Sequence, residues 1–272
     1  MALQPQNQQT RLRRRFVTYF LRGLHGREQI LFGPNPGAAT ESLQAEHAHL
    51  VAAWGWGVEQ AMLDELALAV VPFSRFYDLV GLSRQAEDLF SAALANLPSA
   101  GAAAKQLRVS LLVEIAHAQN ALAHYSDART SATEALALWR PGYPSHLRAN
   151  SLCQAGRAHY RLGETDSARL QLVAAVEIAR KDAWYWIWAE SLLALGDVIA
   201  IGAGEDATAT YTQSLELYRH IGDRRGEASA LNCLGTEASR HGQNELAQQF
   251  IEEALDLHRA VGDQRNECID LN

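Results

Sequence analysis

Ten histidines give this chain its widest chemical reach, and metal binding is the first chemistry their number suggests. His47 and His49 stand two apart, so on a helix they point to different faces and cannot share an ion. His117 and His124 are seven apart, on one face but two turns distant, and no cysteine or carboxylate completes a set at ligand spacing. No metal site is expected. Serines, histidines and acids are plentiful, yet no G-x-S-x-G elbow raises a serine for nucleophilic attack. GPNPGAAT at 33–40 has the glycines of a phosphate loop without its lysine. No catalytic residue and no cofactor follow. The densest aromatic segment is Trp184-Tyr185-Trp186-Ile187-Trp188. Trp184, Trp188, Leu192 and Leu195 keep helical spacing and are expected in the core. That turns Tyr185 and Trp186 to other faces, where an aromatic ring can line a ligand groove.

The elements that would position these residues repeat. Ala116, Gly156, Gly196 and Gly235 are 40, 40 and 39 positions apart. A second small residue follows twelve positions later (Ala128, Ala168, Thr208, Ala247, with Ala207 a one-residue slip), and a third after seven more (Ala135, Ala175, Ala254, with Ser214 carrying the slip). A period of this size means stacked supersecondary units. In the last full unit, Leu231, Leu234 and Ala238 form one helical stripe, Gly242 marks a turn, and Ala247, Ile251 and Ala254 form a second stripe. Two amphipathic helices then pack antiparallel, with Gly235 opposite Ala247 letting their axes approach. Counting an earlier unit around Val70, Phe73, Ser74, Tyr77, Ala86, Phe90 and Ala93, five hairpins run over roughly 60–262.

Composition agrees. Seven prolines in 272 residues and 48% hydrophobic content suit a helical, folded chain. No apolar window is long enough to span a membrane, and the N-terminus lacks a secretory h-region. Cys153, Cys233 and Cys268 are odd in number and scattered, which fits a reducing, cytoplasmic setting. The net charge is −7, although residues 1–30 carry Arg11, Arg13, Arg14, Arg15, Arg22 and Arg27 against Glu28. The acidic remainder repels phosphate and disfavours direct nucleic-acid contact.

The small-residue pairs resemble the tetratricopeptide repeat, whose unit is usually 34 residues. The extra length falls in links such as GDRRGEASALN at 222–232, repeated as GDQRNECIDLN at 262–272. This longer form is similar to the sensor arrays of bacterial signal-transduction ATPases of the STAND class and related transcriptional regulators. Arg15, Tyr19, Phe20, Leu21, Leu43, Glu46, His47, Leu50, Ala53, Trp54 and Glu59 match the two helices that precede such arrays. The resemblance implies an all-α, right-handed superhelical solenoid of antiparallel helix pairs. Residues 1–60 would form a helical lead-in, with Thr40 as N-cap of its second helix, and 61–272 the array. It further implies a fragment that regulates an attached ATPase or DNA-binding module, taking a protein, a peptide or a small-molecule inducer as partner. A stand-alone scaffold joining proteins is the alternative.

By the family's geometry, first helices line the concave surface, at positions three before, one after and four after each small residue. With their neighbours these give Arg75, Asp78, His117, Asn120, Asn150, Arg157, Tyr160, Arg161, Glu190, Asp197, Asn232 and Arg240 as candidate groove residues. The lysine and asparagine set of the family's chaperone-binding clamp is not matched. A sixth unit begins and stops at Asn272, and its apolar Ile269 and Leu271 are expected to favour homo-oligomer contacts.

Overall fold

A computed structural model describes residues 3–202 and 205–261. Among them are fourteen α-helices and no strand, and no helix is long and apolar enough to cross a membrane. The expected hairpins are present. They are α5 (Leu63–Leu79) with α6 (Ser83–Asn96), α7 (Ala102–Ala121) with α8 (Tyr125–Leu138), α9 (Ser145–Arg161) with α10 (Thr165–Lys181), α11 (Tyr185–Ala200) with α12 (Thr208–Ile221), and α13 (Arg224–Arg240) with α14 (Asn244–Val261). First helices α5, α7, α9, α11 and α13 stack side by side as one wall, and each second helix packs against the first helix of the next unit. The sixth unit and its association surface lie outside the described residues.

The small residues act as the period implies. A Cβ at Gly156 would lie 2.6 Å from Leu172 Cγ, and one at Gly235 2.8 Å from Ile251 Cγ1. At Gly196 it would meet Tyr211 Cε1 at 2.3 Å, one residue earlier in the partner helix, where the sequence slips. Ala116, Ala132 and Ala155 form the equivalent contact between α7, α8 and α9. Helix axes approach because methyl groups or hydrogens fill the seam. Turns repeat too: Gly81, Gly163 and Gly242 adopt left-handed φ of 70°, 79° and 73° between paired helices, and Ala123 takes the same place at 60°.

The N-terminal region departs from two long helices. It contains α1 (Leu3–His25), α2 (Glu28–Leu31), α3 (Gly37–Ala45) and α4 (His47–Glu59). The second expected helix is thus broken at Glu46, and Thr40 is not its cap. α3 starts directly after Pro36, so Thr40 lies inside it and its Oγ1 donates to the Pro36 carbonyl at 2.9 Å. α1 packs on α4 and α5 in the manner of a further hairpin. Trp54, Phe73, Phe76, Tyr77 and Phe90 fill the core beneath it, with Trp54 edge-on to Phe73 and Phe90 at 5.7 and 5.4 Å.

Candidate functional site

Between α2 and α3 the chain cannot remain helical, because Pro34 and Pro36 lack amide hydrogens and restrict the residues before them. Residues 32–36 instead form a strap across the concave side of the array. Leu31 anchors it by complete burial, worth about 1.5–3 kcal/mol for such a side chain. The Leu31 carbonyl accepts from Arg75 Nε at 3.2 Å, and the Arg75 guanidinium lies 5.1 Å from the Phe32 ring centroid. Phe32 packs edge-on to Trp186 of α11, with centroids 5.4 Å apart. Beyond it, Pro34 reaches the α12–α13 turn, where a Cβ on Gly222 would sit 3.1 Å from Pro34 Cδ. A side chain is doubly unwelcome at Gly222, which also has φ +76°.

Beneath the strap, the first and last hairpins are joined directly. Arg75 Nη2 donates to Asp223 Oδ2 at 2.9 Å and Nη1 to Asp78 Oδ2 at 3.3 Å. Arg225 Nη1 donates to both the carbonyl and Oδ2 of Asp78 at 2.9 Å. Asp223 is the N-cap of α13, accepting from the Gly226 amide through its other oxygen at 3.2 Å. Arg75 and Asp223 are 7% and 2% exposed, so the pair is desolvated and removal of either partner strands a charge. Burial alone would raise the Asp78 pKa, but Arg225, His117 and Arg75 together hold it well below the carboxylate range. This clamp joins residues 147 and 148 positions apart and closes the solenoid upon itself.

Strap and clamp border two adjoining, half-open compartments that share Arg75, Asp78, His117 and Trp186. The first, of about 310 Å³, is walled by Phe32, Trp184, Tyr185, Trp186, Val71, Leu147 and Ile187, with Glu114, His146 and Asn150. The second, of about 210 Å³, adds Arg157, Glu190, Asp197, Tyr218 and both clamp residues from α13. Arg157 Nη1 donates to Glu190 Oε1. His117 sits among acids, with Nε2 3.9 Å from Asp78 Oδ1 and Nδ1 3.9 Å from Glu190 Oε1. Burial favours the neutral ring, but Asp78, Glu190 and Glu114 outweigh it and raise the His117 pKa. Glu114 is pushed up by burial, against the pull of His117 and a Ser74 hydrogen bond. Three polar atoms of the chamber have no hydrogen-bond partner among the described residues: His117 Nδ1, His146 Nδ1 and Glu190 Oε2.

Of the residues expected to line the groove, Arg75, Asp78, His117 and Asn150 face the first compartment, and Arg157, Glu190 and Asp197 the second. Tyr160, Arg161, Asn232 and Arg240 lie farther along, with Asp197 again, in an open pocket of about 660 Å³. Asn120 lines none of these cavities. Its amide donates to the Gln154 carbonyl and Oε1 at 3.0 and 3.1 Å, which ties α7 to α9. Trp184 is not core. It is the N-cap of α11, 40% exposed, and its indole donates to Ser145 Oγ at 3.0 Å. Of the other α11 residues expected in the core, Leu192 is buried and Trp188 and Leu195 are half-buried, beside buried Ile187, Ala194 and Val198, while Trp184 joins Tyr185 and Trp186 in the chamber wall.

Phe32, Glu114, His146, Asp223 and Arg225 are the chamber residues that sequence reasoning missed. Glu114 lies two positions before the small residue of its helix, outside the three inward positions used. Phe32 arrives from a segment with no periodicity. Near the open pocket, Asp206, Glu237 and His241 bring one ligand atom each within 4.8 Å of the others. Glu237 is already engaged by Arg240 Nε at 3.0 Å and the Ala207 amide at 3.0 Å, so a cation stands there already.

Neither a protein-family model nor a curated protein matches the sequence. Solved structures do match in fold. A STAND signal-transduction ATPase with a tetratricopeptide repeat sensor, from Pyrococcus horikoshii, is 15% identical with a TM-score of 0.57, over 94% of this chain and 39% of that one. BtubC from P. vanneervenii is 15% identical with a TM-score of 0.56, over 88% of this chain and 92% of that one. A Rap protein complexed with Competence and Sporulation Factor is 14% identical with a TM-score of 0.52, over 85% and 70%. At these identities the likeness establishes the architecture, a tetratricopeptide-like helical solenoid.

Proposed function

We propose that this chain is a non-catalytic sensor region that takes a ligand inside its strapped chamber and passes occupancy to an attached regulatory module. One observation carries the reading: a half-open chamber built from first-helix side chains of successive repeats, holding buried polar atoms that no described residue satisfies. Buried donors and acceptors are normally paired, at a cost of about 1–3 kcal/mol when they are not. A ligand that pairs them recovers that cost.

Coupling requires a state change with differential affinity. The clamp is where such a change would act, because Arg75–Asp223 and Arg225–Asp78 join the first hairpin to the last beneath the strap. The attached module is an ATPase or a DNA-binding domain, which the STAND likeness and the N-terminal pattern support. The partner is a small molecule, or a protein or peptide segment short enough for the chamber, and the setting is the cytoplasm. The stand-alone scaffold remains the second reading, favoured by the open pocket around Arg161 and Arg240.

Native mass spectrometry of the purified chain separates the two. A sensor retains a bound mass that Trp186→Ala abolishes while Arg240→Ala leaves it in place. A mass lost in Arg240→Ala but kept in Trp186→Ala, or partner binding indifferent to both, overturns the chamber reading.

A further inference from the structure

The chamber's charge arrangement selects among ligand classes, and its arginines are already committed. Arg75 is divided among Leu31, Asp78 and Asp223, Arg225 serves Asp78, and Arg157 serves Glu190. An anion entering here would have to break one of these pairs. The acids are less well provided for. Glu114 is 7% exposed and makes no ion pair with an arginine or lysine among the described residues; its partners are the Ser74 hydroxyl and the His117 ring nearby. Glu190 is also 7% exposed, and its Oε2 has no hydrogen-bond partner. Glu114 shares the first compartment with Trp184, Tyr185 and Trp186 at the start of α11 and Phe32 on the strap, and Glu190 lines the adjoining one with Trp186. Electron-rich ring faces attract cations, by about 2 kcal/mol or more when the site is dry. The chain itself uses that attraction where Arg75 lies against Phe32.

Resting on the chamber being the ligand site, we propose that it binds a small organic cation, an amine or guanidine carrying a flat apolar body. The body packs against the α11 aromatics, and the N–H donors meet Glu114. A compartment of about 310 Å³ lies at the small end of ligand-binding cavities, which suits a free molecule rather than a folded partner.

Isothermal titration of the full chain tests this with phenethylamine, tryptamine and benzylguanidine as cations, 2-phenylethanol as the neutral analogue, 3-phenylpropanoate as the anion, and a Gly-Lys-Gly peptide as the alternative source of an ammonium. At least one free amine is expected to bind one per chain, about tenfold or more tighter than the alcohol. The anion and the peptide are expected to bind more weakly still. Glu114→Gln should weaken the amine about tenfold and leave the alcohol within about twofold. Should Glu114→Gln fail to fold, Trp184→Leu, at a half-exposed wall position, should weaken the amine likewise. The proposal is overturned if the alcohol or the anion binds as tightly as every amine, if no amine binds, or if amine affinity is unchanged in these variants. A non-cationic mass retained in the chamber by native mass spectrometry would sink this inference alone; loss of any chamber-dependent binding would sink the sensor reading as well.

Discussion

At the strapped end of the groove, Arg75 is buried and divides one guanidinium among a carbonyl, two carboxylates and an aromatic face. At the open end, Arg161 and Arg240 occupy the same side of the first-helix wall, yet both are exposed. Their registers differ, since Arg75 stands one position after Ser74 whereas Arg161 and Arg240 stand five after Gly156 and Gly235. They differ also in whether another part of the chain crosses above: Leu31 and Phe32 roof Arg75, and no strap residue lines the open pocket. A groove position therefore becomes a binding position through what encloses it.

The largest expected effect lies at the clamp. Arg75→Met leaves Asp223 and Asp78 buried with less compensation and should destabilise the fold by about 3–5 kcal/mol in urea denaturation. Arg161→Met, in the open pocket, should leave the denaturation midpoint unchanged within error. Equal losses would erase the contrast between the two ends. Next is the seam between paired helices. Gly196→Ala drives a methyl group into the Tyr211 ring and should cost about 1–3 kcal/mol.

The pH response sharpens the comparison further. His117 has its pKa raised in the fold, so its stabilisation is complete below the usual value of 6.5 and is lost as pH rises through the raised one. Glu114, raised above 4.5, acts in the same direction at lower pH. Asp78, lowered from 3.8, adds stability that is lost only on strong acidification. Melting temperature should therefore decline as pH rises above about 6.5, and His117→Gln should flatten that decline. Parallel profiles for the two proteins would remove His117 from the acid cluster's account. The smallest effect concerns Ala123, which holds φ +60° where equivalent turns use glycine. Ala123→Gly should raise stability by up to about 1 kcal/mol in the same assay, and a loss would mean the methyl group packs usefully.

The fold was legible in the sequence because each hairpin depends on local seams. Ala116, Gly156, Gly196 and Gly235 each declare one, and even the one-residue slip reappears as the Gly196–Tyr211 contact. Breaks set by neighbours were harder. Glu46 interrupts a helical pattern, and Trp184 keeps core spacing while standing just outside its helix. The chamber was half visible: inward positions of first helices could be counted, but its roof could not. Phe32 meets Trp186 across most of the array, and no periodicity announces a contact of that span. Asp223 belongs to a link repeated at 262, where its local task is capping a helix. Its second oxygen becomes a clamp only because Arg75 lies within reach.

The central claim is that the chain's own strap closes the groove against the far end of the array. Cysteines placed at Pro34 and Gly222 test it, since a Cβ at Gly222 would stand 3.6 Å from that of Pro34, within disulfide range. Under mild oxidation, Pro34→Cys with Gly222→Cys, which removes the Pro34 ring but keeps the strained φ of +76° at position 222, should yield an internal 34–222 bridge by peptide mapping once circular dichroism shows the reduced protein folded. Thiols that stay free in the folded monomer, or that pair only between molecules, would contradict the closed groove.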